Sequence, residues 1–343
     1  LSNYHESDIE EGVLHLMNIR IKEVGIYHPQ TSVNNEFYLD HFQKQGKDIR
    51  RFVQHMGRKD RYIIKNNDEN ALTMAIEASK TVLEKAGMSG KDIDMLVFST
   101  QTPEYTFPTN ALFLHNAIEG DEHTIVLDSN ANCAGMTAAV EQASRYMKAN
   151  PNVKTALIVG SDYNSLLCDP EDEITYSNYG DAAAAVILET TEEDTGFIDS
   201  VYAVDSKSRN NIVYPEQGLS NTLRGVAQGK YIKWIPFDGS ESMKHVEESF
   251  ETIFERNNLT KADIGIYCLS QFSLATILEI QEKFNIHDDQ IVYVGDQFGY
   301  TGTSSPFIVL HEGVKSGKIK RGDYLLFWTI GAGYQIVTMV FKY

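Results

Sequence analysis

A cysteine stands at position 133 in the run Asn130-Ala131-Asn132-Cys133-Ala134-Gly135-Met136, after residues 124–128, which read as a buried strand, and before residues 138–146, which have helical periodicity. Free amides and aligned dipoles at a helix N-terminus favour an anion, so the position predicts a lowered thiol pKa and a populated thiolate. The same amides can hold the oxyanion formed when a thiolate attacks a thioester. Nucleophilic acyl transfer is the chemistry on offer; a small buried core cysteine is the competing reading. Gly331-Ala332-Gly333, directly after another strand, adds residues small enough for backbone amides to approach a ligand.

The elements that must position these residues alternate along the chain. Apolar runs of strand length occupy residues 94–99, 124–127, 155–159, 183–188, 264–269, 291–294 and 324–328, separated by helical patterns, and residues 17–25 read as a first strand. That alternation predicts a layered α/β architecture. The chain also repeats itself: residues 88–99 align without gaps on residues 259–270, and residues 124–126 then match 290–292. This places residues 298–302 opposite the Cys133 segment and predicts a pseudo-twofold fold. The division expected is an acidic N-terminal extension (1–16), a first half carrying the nucleophile (17–190) and a second half (191–343). Loops around Cys133, after Ser270 and at Gly299-Tyr300-Thr301 should meet between the halves.

At 343 residues and 42% hydrophobic content the chain can bury a large core, and no apolar run approaches the ~18 residues of a membrane span. Three cysteines (Cys133, Cys168, Cys268) at irregular spacing make neither a disulfide framework nor a metal pattern. With no secretory signal in view, a soluble protein of the reducing cytoplasm is expected, with Cys168 and Cys268 in the core. A net charge of −18 argues against nucleic acid as a partner. Between Lys44 and Lys65, however, eight basic residues face two acidic ones, a local balance of +6. Such a patch suits a phosphorylated ligand or an acidic carrier, or is a solvated helix face.

Taken in order, six motifs resemble the ketoacyl-acyl-carrier-protein synthase III branch of the thiolase superfamily, from about Ile19 to the C-terminus: residues 56–61 (MGRKDR), 99–108 (STQTPEYTFP), 130–136 (NANCAGM), 180–186 (GDAAAAV), 299–301 (GYT) and 331–333 (GAG). The resemblance implies a thiolase-like five-layered αβαβα fold, a homodimer, and acylation of Cys133 by acyl-CoA or by the phosphopantetheine thioester of acyl carrier protein, with no tightly bound cofactor and no metal. Condensation with a malonyl group on the carrier would follow. Phe107 matches the aromatic that reaches across the dimer towards the partner's acyl pocket, and Asp181 matches a position read as structural. Arg51 stands where a tryptophan commonly stacks on the adenine of CoA and Lys59 where its arginine partner stands. With Arg58 these are the candidates for CoA or carrier binding. Ala275 replaces a basic residue.

The chain departs from the family at the catalytic triad of cysteine, histidine and asparagine. The histidine motif reads Ser270-Gln271-Phe272 and the asparagine motif Gly299-Tyr300-Thr301. Attack by Cys133 needs a thiolate and an oxyanion hole, which the helix N-terminus and residues 331–333 can provide. Malonyl decarboxylation needs the two missing donors. Tyr300 and Ser270, with Gln271, can donate hydrogen bonds, but neither hydroxyl replaces imidazole as a base near neutral pH. His245 and His311, on helical segments of the second half, are the imidazoles weighed as replacements. The expected function is an acyltransferase that loads Cys133 and passes the acyl group to an acceptor without efficient decarboxylation. The alternatives are a decarboxylating synthase using substituted donors and a non-catalytic partner subunit of a heteromeric synthase. Phe107, Leu166, Leu167 and Phe298 are the residues expected to shape the acyl pocket.

Overall fold

A sheet covered on both faces needs apolar residues at successive positions, and residues 182–188 supply them without a break. The computed structural model describes residues 17–226, 229–236 and 240–343; the proposed acidic extension, 1–16, lies outside them. Strands β1 (Asn18–Tyr27), β2 (Met95–Ser99), β3 (Ile125–Ser129), β4 (Thr155–Asp162) and β5 (Ala182–Thr191) form one sheet in the order β1-β5-β4-β2-β3. Strands β6 (Gly196–Val204), β7 (Ile264–Leu269), β8 (Tyr324–Gly331) and β9 (Gln335–Lys342) form the second, in the order β7-β8-β9-β6. Both are mixed: β2 runs parallel to β3 and β4, and β7 parallel to β8, while the remaining pairs are antiparallel.

Helices complete the expected five layers. α1 (Ala71–Ala86) and α2 (Asn110–Ala117) cover the outer face of the first sheet; α3 (Gly135–Ala149) is the helix of the Cys133 segment; α4 (Ser240–Asn257) and α5 (Leu274–Phe284) cover the outer face of the second sheet; α6 (Ser305–Lys315) joins α3 between the sheets. On β5 the side chains alternate accordingly. Ala182, Ala184, Val186 and Leu188 join the central core with Met136, Val140 and Phe307, whereas Ala183, Ala185 and Ile187 join the outer core with Met74, Ala78 and Val82. The approach of α1 is close: a Cβ at Gly25 would lie 2.9 Å from the Val82 amide nitrogen.

The internal repeat is visible at atomic detail. Ser89 donates to Asp92 Oδ2 from its amide (2.7 Å) and its hydroxyl (2.8 Å) ahead of β2, and Thr260 repeats both bonds to Asp263 Oδ2 (2.7 Å each) ahead of β7. The order β6-β9-β8-β7 likewise repeats β1-β5-β4-β2. One expected strand does not form. Residues 291–294 contribute only an isolated bridge between Ile291 and Tyr267. The amides of Val294 and Gly295, which a continuing strand would offer to a ladder, donate instead to Gln271 Oε1 at 3.0 and 3.2 Å. Between β6 and α4 lie a paired Ile212–Val213 and Lys233–Trp234, of which Ile212 and Trp234 line the site, and a short helix, Leu219–Leu223, with no buried residue.

Candidate active site

Parallel strands release their chain at the same edge, where ligand sites of α/β sheets form. β2 runs out into Gln101, β3 into Cys133, and β4 ends on Asp162 with Asn164 beyond it; β7 and β8 bring Ser270 and Gly331 from the other half. Asn132 adopts a left-handed conformation (φ 52°), which asparagine tolerates, and turns the chain from β3 towards α3. The helix starts at Gly135, three residues before the helical pattern becomes evident in sequence. No larger residue fits there, since a Cβ would lie 2.2 Å from Ser99 Oγ. Thr303 of the second half accepts the Met136 amide on its Oγ1 at 2.7 Å, and its own amide donates to Asp162 Oδ2 at 2.9 Å.

Cys133 is 8% exposed and opens on a cavity of about 270 Å³. The wall near the thiol is built by Gln101, Asn164, Tyr179, Ser270 and Tyr300, with Phe272 and Trp234 further along. Tyr300 hydrogen-bonds the Cys133 sulfur, and its hydroxyl lies 3.4 Å from Ser270 Oγ. Its ring stands between Tyr179 (centroids 5.5 Å apart) and Phe272 (5.2 Å), and Trp234 stacks on Phe272 at 5.3 Å. The hairpin Gly331-Ala332-Gly333 closes the opposite side, so close that a Cβ at Gly331 would lie 2.6 Å from the Ala131 carbonyl oxygen. Among the described residues that line the cavity there is no charged side chain and no histidine.

Burial decides the resting state of the thiol. Desolvation pushes Cys133 up to about 12 and outweighs the hydrogen bonds from Tyr300 and Gln101 that favour thiolate; the buried Asp162 carboxylate adds to the upward push. The lowered pKa expected from the helix N-terminus is therefore corrected: the first-turn Met136 amide is already given to Thr303, and the residue is only 8% exposed. Burial likewise raises Asp162 to about 6, against donors from the Thr303 and Gln101 amides. Tyr300 is held well above its usual value by burial and stays a neutral donor.

Several sequence candidates take other places. Arg58 is a buried strut, donating to Asn178 Oδ1 (2.7 Å), the Tyr293 hydroxyl (2.8 Å) and the carbonyls of Gly295 (3.0 Å), Gln271 (2.6 Å) and Phe272 (2.7 Å). It has no donor left for a ligand. Lys59 is exposed but paired with Asp296 at 2.9 Å, and Arg51 is exposed on the helix Arg50–Met56. The +6 patch is thereby dispersed: Arg61 is buried against the Ser177 carbonyl, Lys47 pairs with Glu173 and Arg50 with Asp48. Gln271 points away from the cavity, held by the Leu269 carbonyl and the 294–295 amides. His245 lies 3.6 Å from Glu248 and His311 beside Lys85 and Glu312; neither lines the cavity.

Of the residues expected to shape an acyl pocket, Leu167 lines the cavity, Leu166 is exposed, and Phe298 packs in the core against His28 and Tyr62. Phe107 is 85% exposed. Asp181 accepts from the Ile64 and Ser165 amides, both at 2.9 Å, a loop-supporting role as expected. Cys168 and Cys268 are buried. Gln101, Asp162 and Asn164 carry no signal of their own in the sequence; their signal is position, at or just past the ends of the neighbouring parallel strands β2 and β4.

Two mixed sheets enclosing paired helices, with a cysteine at the N-terminus of one of them, define a thiolase-like fold. Residues 127–206 match the 3-oxoacyl-[acyl-carrier-protein (ACP)] synthase III family and residues 254–343 its C-terminal counterpart. The chain is 30% identical over 335 residues to beta-ketoacyl-[acyl-carrier-protein] synthase III of Pseudoalteromonas atlantica, covering 95% of this chain and 100% of that one. It is 32% identical over 282 residues to the Histophilus somni protein of the same name, covering 81% and 85%. The crystal structure of 3-oxoacyl-[acyl-carrier-protein] synthase III from Aquifex aeolicus superimposes with a TM-score of 0.84 at 24% identity, over 95% of this chain and 100% of that one. The chain belongs to the 3-oxoacyl-acyl-carrier-protein synthase III family, a family of acyl-transferring, condensing enzymes. No described helix is long and apolar enough to cross a membrane.

Proposed function

We propose that Cys133 takes an acyl group from CoA or acyl-carrier-protein thioester and passes it to an acceptor nucleophile, without efficient malonyl decarboxylation. The observation that carries this reading is the cavity wall: Cys133 lines it together with Ser270 and Tyr300, the residues that the sequence resemblance aligns with the family's histidine and asparagine, and no described lining residue is a histidine. In the loading step Sγ attacks the thioester carbon, the bond to the donor sulfur breaks, and the thiol proton leaves with that sulfur. This exchange of one thiol for another needs no net change of protonation, so a site without a titrating base can perform it. Tyr300 donates to the sulfur as negative charge develops, and the small residues 331–333 leave room for amides at the oxyanion. Decarboxylation lacks this symmetry. It leaves an enolate that needs strong donors, and two hydroxyls sharing one hydrogen bond are a weaker provision than imidazole with amide.

Intact-protein mass spectrometry after incubation with a panel of acyl-CoAs and acyl-carrier proteins tests the reading. A gain of one acyl group is expected in the wild type and not in Cys133→Ala; no gain with any donor sinks it. The Ser270–Tyr300 contact favours one alternative, a decarboxylating synthase with substituted donors, and rapid carbon dioxide release from malonyl-carrier protein would select that instead. We read the chain as a homodimer, supported by the exposed side chains of Phe107, of Leu112 on α2 and of Leu127 on the edge strand β3.

A further inference from the structure

We propose that Gln101 is a catalytic residue of this chain: a neutral amide that hydrogen-bonds the Cys133 sulfur in both of its protonation states. The inference rests on the reading of Cys133 as the acyl carrier. Gln101 Nε2 and Oε1 both lie 3.8 Å from Cys133 Sγ, within reach of a sulfur hydrogen bond. The amide is gripped from behind. Nε2 donates to Asn164 Oδ1 at 2.9 Å and to Asp162 Oδ2 at 3.2 Å, and the Gln101 backbone amide donates to Asp162 Oδ1 at 2.9 Å. An ionised carboxylate only accepts, so Asp162 fixes which end of the amide is nitrogen. Asn164 is itself oriented, its Nδ2 facing the Gly180 carbonyl at 3.5 Å.

A thiol offered to this edge donates to Oε1; the two Nε2 hydrogens have three acceptors in reach, Asn164 Oδ1, Asp162 Oδ2 and Cys133 Sγ, so a thiolate must draw one of them from an oxygen, and the longer contact, to Asp162 at 3.2 Å, is the one that yields it. Gln101 therefore keeps a partner for the sulfur as the proton departs, and it neither gains nor loses a proton itself. The thiol proton still leaves with the donor sulfur. The other groups facing Cys133 are Tyr300, which donates, Asp162, whose charge opposes a thiolate, and Tyr179 and Cys168, both buried and neutral at physiological pH. Gln101 and Tyr300 are thus the two neutral side-chain donors at the sulfur, one from each half of the molecule, beside the backbone amide of Cys133 itself.

The test reads thiolate directly. Wild type, Gln101→Met and the isosteric Gln101→Glu are alkylated with iodoacetamide and separately with N-ethylmaleimide from pH 6.5 to 10, with the Cys133 peptide followed by mass spectrometry. Loss of a hydrogen bond to a charged group is expected to slow both reagents about tenfold, moving the rising limb about one pH unit higher. The ratio of the two rates should stay at its wild-type value, because access to the sulfur is unchanged. A role of shape alone is rescued by Gln101→Glu; a donor role is not. Wild-type rates in Gln101→Met, rescue by Gln101→Glu, or a changed reagent ratio overturns the inference. Alkylation needs no acyl donor, so a wild type that never acylates sinks the proposed function and leaves this result standing. A wild type that acylates while the variants match it sinks only the role of Gln101.

Discussion

On the proposed reading, Ser270 and Tyr300 decide the reaction type, because the sequence resemblance aligns them with the family's histidine and asparagine and both line the cavity beside Cys133. Ser270→His combined with Tyr300→Asn puts an imidazole and an amide on that wall. Carbon dioxide release from labelled malonyl-carrier protein is expected to rise about 10²–10³-fold in the double variant, the usual worth of a transition-state donor. Acylation of Cys133 should persist, and no gain in release would show that the enolate is not limited by these positions. The pH dependence of the wild type follows from the buried thiol: with its pKa near 12, thiolate rises tenfold per pH unit. Alkylation of Cys133 should climb through pH 10 without a plateau; a plateau near pH 7 would mean a pre-formed thiolate. At this scale the sequence was half legible. Cys133 stood out because its type and its place between strand and helix are both local. Asp162 and Asn164 did not, because their meaning depends on which strands lie side by side, and Arg58 was misread because charge in a sequence says nothing of burial.

The helix Arg50–Met56 and the loop after it are tied to the second half chiefly through the Arg58 guanidinium, with the Lys59–Asp296 pair and the Tyr293 hydroxyl on the Met56 and Gly57 carbonyls beside it. Gly57 ends that helix in the left-handed conformation (φ 72°), and a Cβ there would lie 2.4 Å from Leu274 Cβ on α5, so the turn is wedged against the other half. Arg58→Met keeps the volume of the stem and deprives five oxygens of their donor. With each buried acceptor left unsatisfied costing about 1–3 kcal/mol, a loss of at least about 2 kcal/mol is expected in urea unfolding after relaxation. A neutral result would mean that water replaces the guanidinium. Element boundaries were legible wherever a strand's own residues decide them, as on β2 and β7, whereas β5 runs three residues past its apolar run, to Thr191. The failed strand at 291–294 has the right residues, but a glutamine distant in sequence takes its amides, and no local pattern announces that. β6 and β9 lie outside the runs singled out: β6 carries Asp199 and Ser200 in its middle, breaking an apolar run.

Across the whole molecule, two electrostatic terms point the same way. The net charge of −18 repels itself, and burial holds Asp162 and Asp181 at about 6, above the value of an unfolded aspartate. For both carboxyls the folded state binds more protons than the unfolded state just above pH 4, so their contribution to stability falls as pH rises through about 6. Carboxylates held low, such as Asp92 and Asp263 under their Ser89 and Thr260 donors, titrate below this window. The melting temperature is therefore expected to be higher at pH 6 than at pH 8, and added salt at pH 8 should raise it by screening repulsion. A lower melting temperature at pH 6 would show that other groups dominate. The layered, duplicated architecture was the most legible level of all, since the repeat is written in the chain and its matched Ser89–Asp92 and Thr260–Asp263 pairs reappear in space. That duplication has left its two copies with different inheritances. One keeps the sulfur and the backbone that frames it, and the other supplies Ser270 and Tyr300 from loops whose identity the first does not constrain. A lineage can then retain the nucleophile while varying its surroundings, changing what meets the sulfur by altering only the copy that does not carry it.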